Sequence, residues 1–173
     1  MQLIDPAESG PESGPESAPG TGPVAAPDPA SMSGLEMLRL GATGRTPVAG
    51  IGSLLGMALV EVDEGTAAFE LTTTALMTNP MGQVHGGIAA TMLDSALGCS
   101  VHTTLAPGEG YATTDLHVHF VRPVEVGTPL RAVATVTHRG RRMATAEGRV
   151  HDDRDRLVAH ASTTCMIFAP EPH

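Results

Sequence analysis

Apolar and polar residues alternate with a period of two along most of the chain after Gly56, and one segment breaks the pattern. GMALVEVDEGTAAFELTTT reads as two strands meeting at a Glu64-Gly65 turn. TTDLHVHFVRP, RAVATVTHRG, RRMATAEGRVHD and RLVAHASTTCMIF alternate likewise, separated by turns at Gly127, Gly140 and Asp152-Asp153; in the first of them Leu116, Val118 and Phe120 share a face. The exception runs from Gly86 to about Thr104. It is apolar around most of its circumference, which predicts one long helix enclosed on most sides. Upstream, GLEMLRL predicts a short amphipathic helix and GATGRTPVAGIG a linker. An α+β fold follows, with a curved antiparallel sheet wrapped around one central helix.

Composition changes the reading mainly at the N-terminus. Residues 5–30 hold seven of the fourteen prolines and an ESGPESGPES reiteration, with no aromatic residue to anchor a core. Residues 1–34 are therefore expected to be a disordered tail, 35–169 a single domain and 170–173 a short C-terminal tail. The formal charge of −9 is partly the tail's, because Asp5, Glu8, Glu12, Glu16 and Asp28 lie there without a base; residues 35–173 come to 10 − 14 = −4. Duplex nucleic acid is thereby an unfavourable partner. Two cysteines without C-x-x-C spacing, no secretory signal and no uninterrupted apolar span lead to the expectation of a cytoplasmic protein that does not enter membranes.

Between Leu71 and Gly108 only Asp94 carries a full charge, and its neighbours Ile88, Ala89, Met92, Leu93, Ala96, Leu97 and Val101 have interior character. A carboxylate there needs a partner or a use. Just upstream, the Asn79-Pro80-Met81-Gly82 turn leads into His85-Gly86-Gly87, where a helix N-terminus presents uncovered N–H groups suited to a developing oxyanion, with the Asn79 side chain able to add another. Asp94 lies eight residues beyond Gly86, about 12 Å along a helix, whereas reacting atoms must come to roughly 3–3.5 Å. Two copies of the helix crossing antiparallel at a two-fold axis near Ala90 would bring Gly86 of one chain to Asp94 of the other, making two shared sites.

The spacing N-x5-H-G-G-x7-D, with Tyr111-Ala112-Thr113-Thr114-Asp115 and Phe120-Val121-Arg122-Pro123 after it, resembles the hotdog-fold acyl-CoA thioesterases of the phenylacetate-pathway (PaaI-like) type over about Leu35 to Phe168. The resemblance implies a hotdog domain over 35–169, a homodimer with tetramers (dimers of dimers) common, and hydrolysis of an acyl-CoA to free acid and coenzyme A without a further cofactor. It implies that Asp94 activates water or attacks the thioester, that Gly86 and Asn79 polarise its oxygen, and that His85 lies near the leaving sulfur. A hydroxyl that orients water in some members matches Thr113, with Thr114 adjacent. For the phosphates of coenzyme A the chain offers no lysine; eight of ten arginines lie between Arg122 and Arg156. Arg139, Arg141 and Arg142, flanking the Gly140 turn, are the phosphate candidates.

Each of these residues also has a plainer role open to it. Asp94 can be a hydrogen-bonded structural carboxylate, Gly86-Gly87 a close-packing contact, His85 a residue that orders the helix start, and the arginines a solvated turn. His117 and His119 have metal-ligand spacing on one strand, but no correctly spaced glutamate and later histidine complete a cupin site, so two sheet-face histidines are the simpler account and no metal is expected. Gly50-Ile51-Gly52 starts no dinucleotide fingerprint, and Ser53 no nucleophile elbow. The rival functions are a non-catalytic acyl-CoA sensor or carrier and an acyl-thioester hydratase or dehydratase. Met77, Met81, Met92 and Leu93 either line an adaptable acyl pocket or belong to the core.

Overall fold

The structure is a computed structural model and describes residues 28, 31–42 and 50–168. Most of the expected N-terminal tail and the expected 170–173 tail lie outside these residues. Helix α1 (Gly34–Ala42) forms where the amphipathic pattern predicts it, and a capping box starts it: the Ser33 hydroxyl accepts from the Glu36 N–H, and the Glu36 carboxylate accepts from the Ser33 N–H. The linker expectation fails at its end, where Ile51–Leu55 is a short helix, α2, closed by Gly56 in the left-handed conformation. Pattern reading passes over a helix this short because five residues do not complete two turns.

Six strands follow the predicted runs: β1 (Ala58–Asp63), β2 (Thr66–Thr72), β3 (Gly110–Phe120), β4 (Pro129–Arg139), β5 (Met143–Asp152) and β6 (Leu157–Phe168). They form one antiparallel sheet in the order β1-β2-β4-β5-β6-β3. Helix α3 (Gly86–His102) packs on it through Ala89, Met92, Leu93, Ala96, Leu97 and Val101. These buried positions recur at helical spacing and form a stripe, not the nearly closed circumference read from the sequence. The opposite side carries Ala90, Thr91 and Ser95, half-buried, and Asp94, exposed. The sheet covers one side of α3 only, so Asp94 is not interior in the isolated chain.

Small residues make the close contact between α3 and the sheet possible. Ala132, Ala134, Ala144, Ala146, Ala159 and Ala161 carpet the inner face of the sheet together with Ala67, with the larger Leu93, Leu97 and Met92 of α3 set against it. Of the three residues expected to share a face on β3, Leu116 and Val118 pack against the core while Phe120 is exposed at the strand end. Strand β3 bonds only to β6, so its other edge is unpaired among the described residues.

Candidate active site

Asn79 sits in a tightly closed loop. Its N–H donates to the Gln83 carbonyl at 2.8 Å, and its Oδ1 accepts from the N–H groups of Met81 at 2.9 Å and Gln83 at 3.2 Å. With the amide oxygen so engaged, the Nδ2 hydrogens are the part of the side chain left to meet a ligand. The loop ends at His85, whose extended backbone caps α3 and whose Nδ1 accepts from the Gly87 N–H at 2.9 Å. That bond leaves the proton of a neutral imidazole on Nε2, directed away from the helix.

The glycine pair has two separate packing reasons. A Cβ on Gly87 would stand 2.9 Å from His85 Nδ1, and one on Gly86 3.2 Å from the Phe120 ring. The first glycine lets a ring close over the helix start, and the second lets the imidazole cap it. Of the two N–H groups expected to be uncovered, that of Gly87 is therefore spent on His85. The Gly86 N–H has no acceptor among the described residues. Asn79, His85 and Gly86 come together in one cleft of about 320 Å³, with Gln83, Phe120 and Arg122 also on its walls.

Asp94 is absent from that cleft. Its carboxylate instead accepts from the Thr113 hydroxyl, Oγ1 to Oδ1 3.2 Å. Of the two adjacent threonines the register selects Thr113: Thr114 turns its hydroxyl to the Thr164 carbonyl at 2.8 Å. The thiols nearby are not nucleophiles in waiting. Burial, with the Asp94 charge adding to it, pushes Cys99 up to about 11, and burial also raises Cys165.

The arginine turn divides. Arg139 Nη2 lies 2.8 Å from Glu109 Oε2 and Nη1 bonds the Gly140 carbonyl, so this guanidinium is held within the chain, while Arg141 and Arg142 are exposed. The turn lies at the far end of β4 from Leu130, which lines the cleft; nine residues of strand separate the two, roughly 30 Å. On the outer face of the sheet His119 stacks on His160 with ring centroids 4.9 Å apart, and His117 Nε2 is 3.7 Å from Asp115 Oδ1. Of the four methionine and leucine pocket candidates, Met77, Met92 and Leu93 are core and Met81 is exposed. Among the described residues no helix is long and apolar enough to cross a membrane.

Sequence reasoning missed Phe120 and Tyr111. Alternation puts Phe120 on one face with Leu116 and Val118 and gives it no further role, because its contact with Gly86 depends on where β3 ends. The hydroxyl of Tyr111 lies over Gly98, again a matter of register between two distant segments.

The model of the thioesterase superfamily matches residues 81–159. The acyl-coenzyme A thioesterase PaaI of Escherichia coli is 29% identical over 105 residues, covering 61% of this chain and 73% of that protein. The medium/long-chain acyl-CoA thioesterase YigI of the same species is 27% identical over 128 residues, covering 65% and 82%. Among solved structures, a phenylacetic acid degradation-related protein of Ralstonia eutropha is 34% identical, with a TM-score of 0.68, over 74% of this chain and 97% of that one. The E. coli PaaI structure superposes with a TM-score of 0.70 over 80% and 98% of the chains at 22% identity, a likeness of fold.

Proposed function

Because the chain belongs to the thioesterase superfamily, in its PaaI-like hotdog branch, we propose that it hydrolyses an acyl-CoA to a carboxylic acid and coenzyme A at a site shared by two copies of the chain. One observation carries the shared site. Asp94 and Thr113 stand together on an exposed face, while the cleft built to receive a carbonyl oxygen opens at Gly86, eight residues away. The small and polar outer side of α3, the free edge of β3 beside it, and the exposed Met81, Phe120 and Val121 all suit a second copy laid antiparallel across a two-fold axis.

In that arrangement the thioester oxygen receives the Gly86 N–H and an Asn79 Nδ2 hydrogen of one protomer. The Asp94 carboxylate of the other, steadied by Thr113, either takes a proton from the attacking water or itself adds to the carbonyl carbon, giving an anhydride that water then opens. A C–O bond forms and the C–S bond breaks. The sulfur leaves as a thiolate beside the His85 Nε2 hydrogen, which stabilises it by a hydrogen bond, and in the base route the proton that Asp94 took from water is released with the products. An antiparallel two-fold also carries the exposed Arg141 and Arg142 of the Asp94-bearing protomer toward the cleft of the other. There they suit the phosphates of coenzyme A, while Arg139 remains tied to Glu109.

The test is release of free thiol from a panel of aryl and aliphatic acyl-CoAs. Wild type should turn over at least one of them, and Asp94→Asn should lose about 10²–10⁴-fold in kcat. Unchanged turnover in Asp94→Asn would remove Asp94 from the chemistry. Single turnover in ¹⁸O-water identifies an anhydride opened at the Asp94 carbonyl, because only that route labels the Asp94 carboxylate.

A further inference from the structure

Tyr111 is the chain's one tyrosine, and no hydrogen-bond partner meets its hydroxyl among the described residues. Its position follows from a match of two periods. Tyr111 and Thr113 are two residues apart on β3 and leave it on the same face, roughly 6.6 Å apart. Asp94 and Gly98 are four apart on α3, about 6 Å. The strand therefore lays Thr113 against Asp94 and Tyr111 against Gly98. The first contact is the 3.2 Å hydrogen bond. In the second, the phenol oxygen lies 2.5 Å from where a Cβ on residue 98 would stand, so only glycine admits it.

The ring is half-buried, edge-on to His102 at 5.7 Å. Burial, with Cys99, Cys165 and Asp94 adding to it, holds the phenol above its ordinary range, so near neutral pH it is a hydrogen-bond donor. A ring needed only as an apolar wall would be served by phenylalanine; the hydroxyl adds a donor that stays in reach of solvent with no partner among the described residues, open to an oxygen of a ligand. We infer that Tyr111 is a specificity-determining residue for the acyl group: its hydroxyl, one helical turn from Asp94, receives a polar oxygen carried by the acyl chain. This rests on the reading that Asp94 acts on a thioester carbonyl. The distance sets the ligand class. An extended chain advances about 1.2 Å per bond, so about 6 Å from the reacting carbon corresponds to an oxygen roughly five bonds away.

Pentanoyl-CoA and 5-hydroxypentanoyl-CoA differ by that oxygen alone. Wild type should favour the hydroxylated thioester, and Tyr111→Phe, which keeps the ring, should lower the ratio of the two kcat/KM values by about tenfold. Gly98→Ala, whose methyl displaces the phenol oxygen, should lower it in the same direction. A purely structural Tyr111 would change both substrates equally, and an unchanged ratio in Tyr111→Phe would overturn the inference. Should wild type turn over neither thioester, the same ratio is read from binding of the two thioesters by calorimetry; the hydrolase reading itself fails only if no acyl-CoA of the wider panel is turned over. Equal affinity of wild type for both would overturn the role of Tyr111 there too.

Discussion

Pairing an Asp94→Asn chain with an Asn79→Asp chain should restore activity that neither variant has as a homodimer. The choice of Asp at position 79 comes from the loop: Asn79 Oδ1 accepts from Met81 and Gln83, and aspartate keeps both bonds while losing the Nδ2 donor. Removing an oxyanion donor costs about 10²–10³ in kcat, and removing the base a comparable factor, so each homodimer is effectively silent. Residues 86 and 94 are eight apart on one helix, about 12 Å, against the roughly 3–3.5 Å that reaction demands. If the two groups belong to different chains of one site, a mixed dimer has one site with both lesions and one with neither. Random association makes roughly half the dimers mixed, so thiol release should recover to roughly a quarter of wild type if sites act independently. Two different affinity tags allow the mixed dimer to be isolated, and its activity should be roughly half that of wild type. A purified mixed dimer as inactive as its parents would refute the argument, placing Asn79 and Asp94 in one site of one chain.

Replacing Arg141 and Arg142 by alanine should raise KM for acyl-CoA and weaken its dependence on salt, leaving a short thioester without the nucleotide unaffected; equal losses on both would make the turn structural. Asp152 tests the electrostatics of the β5–β6 turn. Its carboxylate accepts from Arg156 Nε at 2.7 Å and from the Arg154 and Arg156 N–H groups, and these bonds, the Arg156 side chain first, hold it down at about 2, below the ordinary 3.8. A depressed carboxyl pKa contributes stability above the unfolded value and loses it below. The difference in urea midpoint between wild type and Asp152→Asn should therefore be full at neutral pH and shrink from about pH 4 toward pH 2; a difference independent of pH would exclude the ion pair as its cause.

What the sequence determined by itself was local. Alternation placed all six strands, and a long apolar run that breaks the alternation placed α3, because the preferences of regular elements depend on neighbours a few residues away. The separation of Gly86 from Asp94 was equally legible, since rise per residue is a property of the helix whatever surrounds it. Tertiary structure decided everything that depends on two distant segments in register. It exposed Asp94 where composition suggested interior, because the sheet covers only one side of α3. It chose Thr113 over Thr114 as the hydroxyl beside Asp94, since adjacent residues of a strand point to opposite faces and a bulge between Thr113 and Asp115 shifts the register. It withdrew Arg139 from the expected phosphate patch by giving it Glu109, thirty residues away in the chain. It brought Phe120 to Gly86 and Tyr111 to Gly98. Such pairings follow from how strand and helix pack, and a contact between segments far apart in the chain leaves no periodic mark in either one.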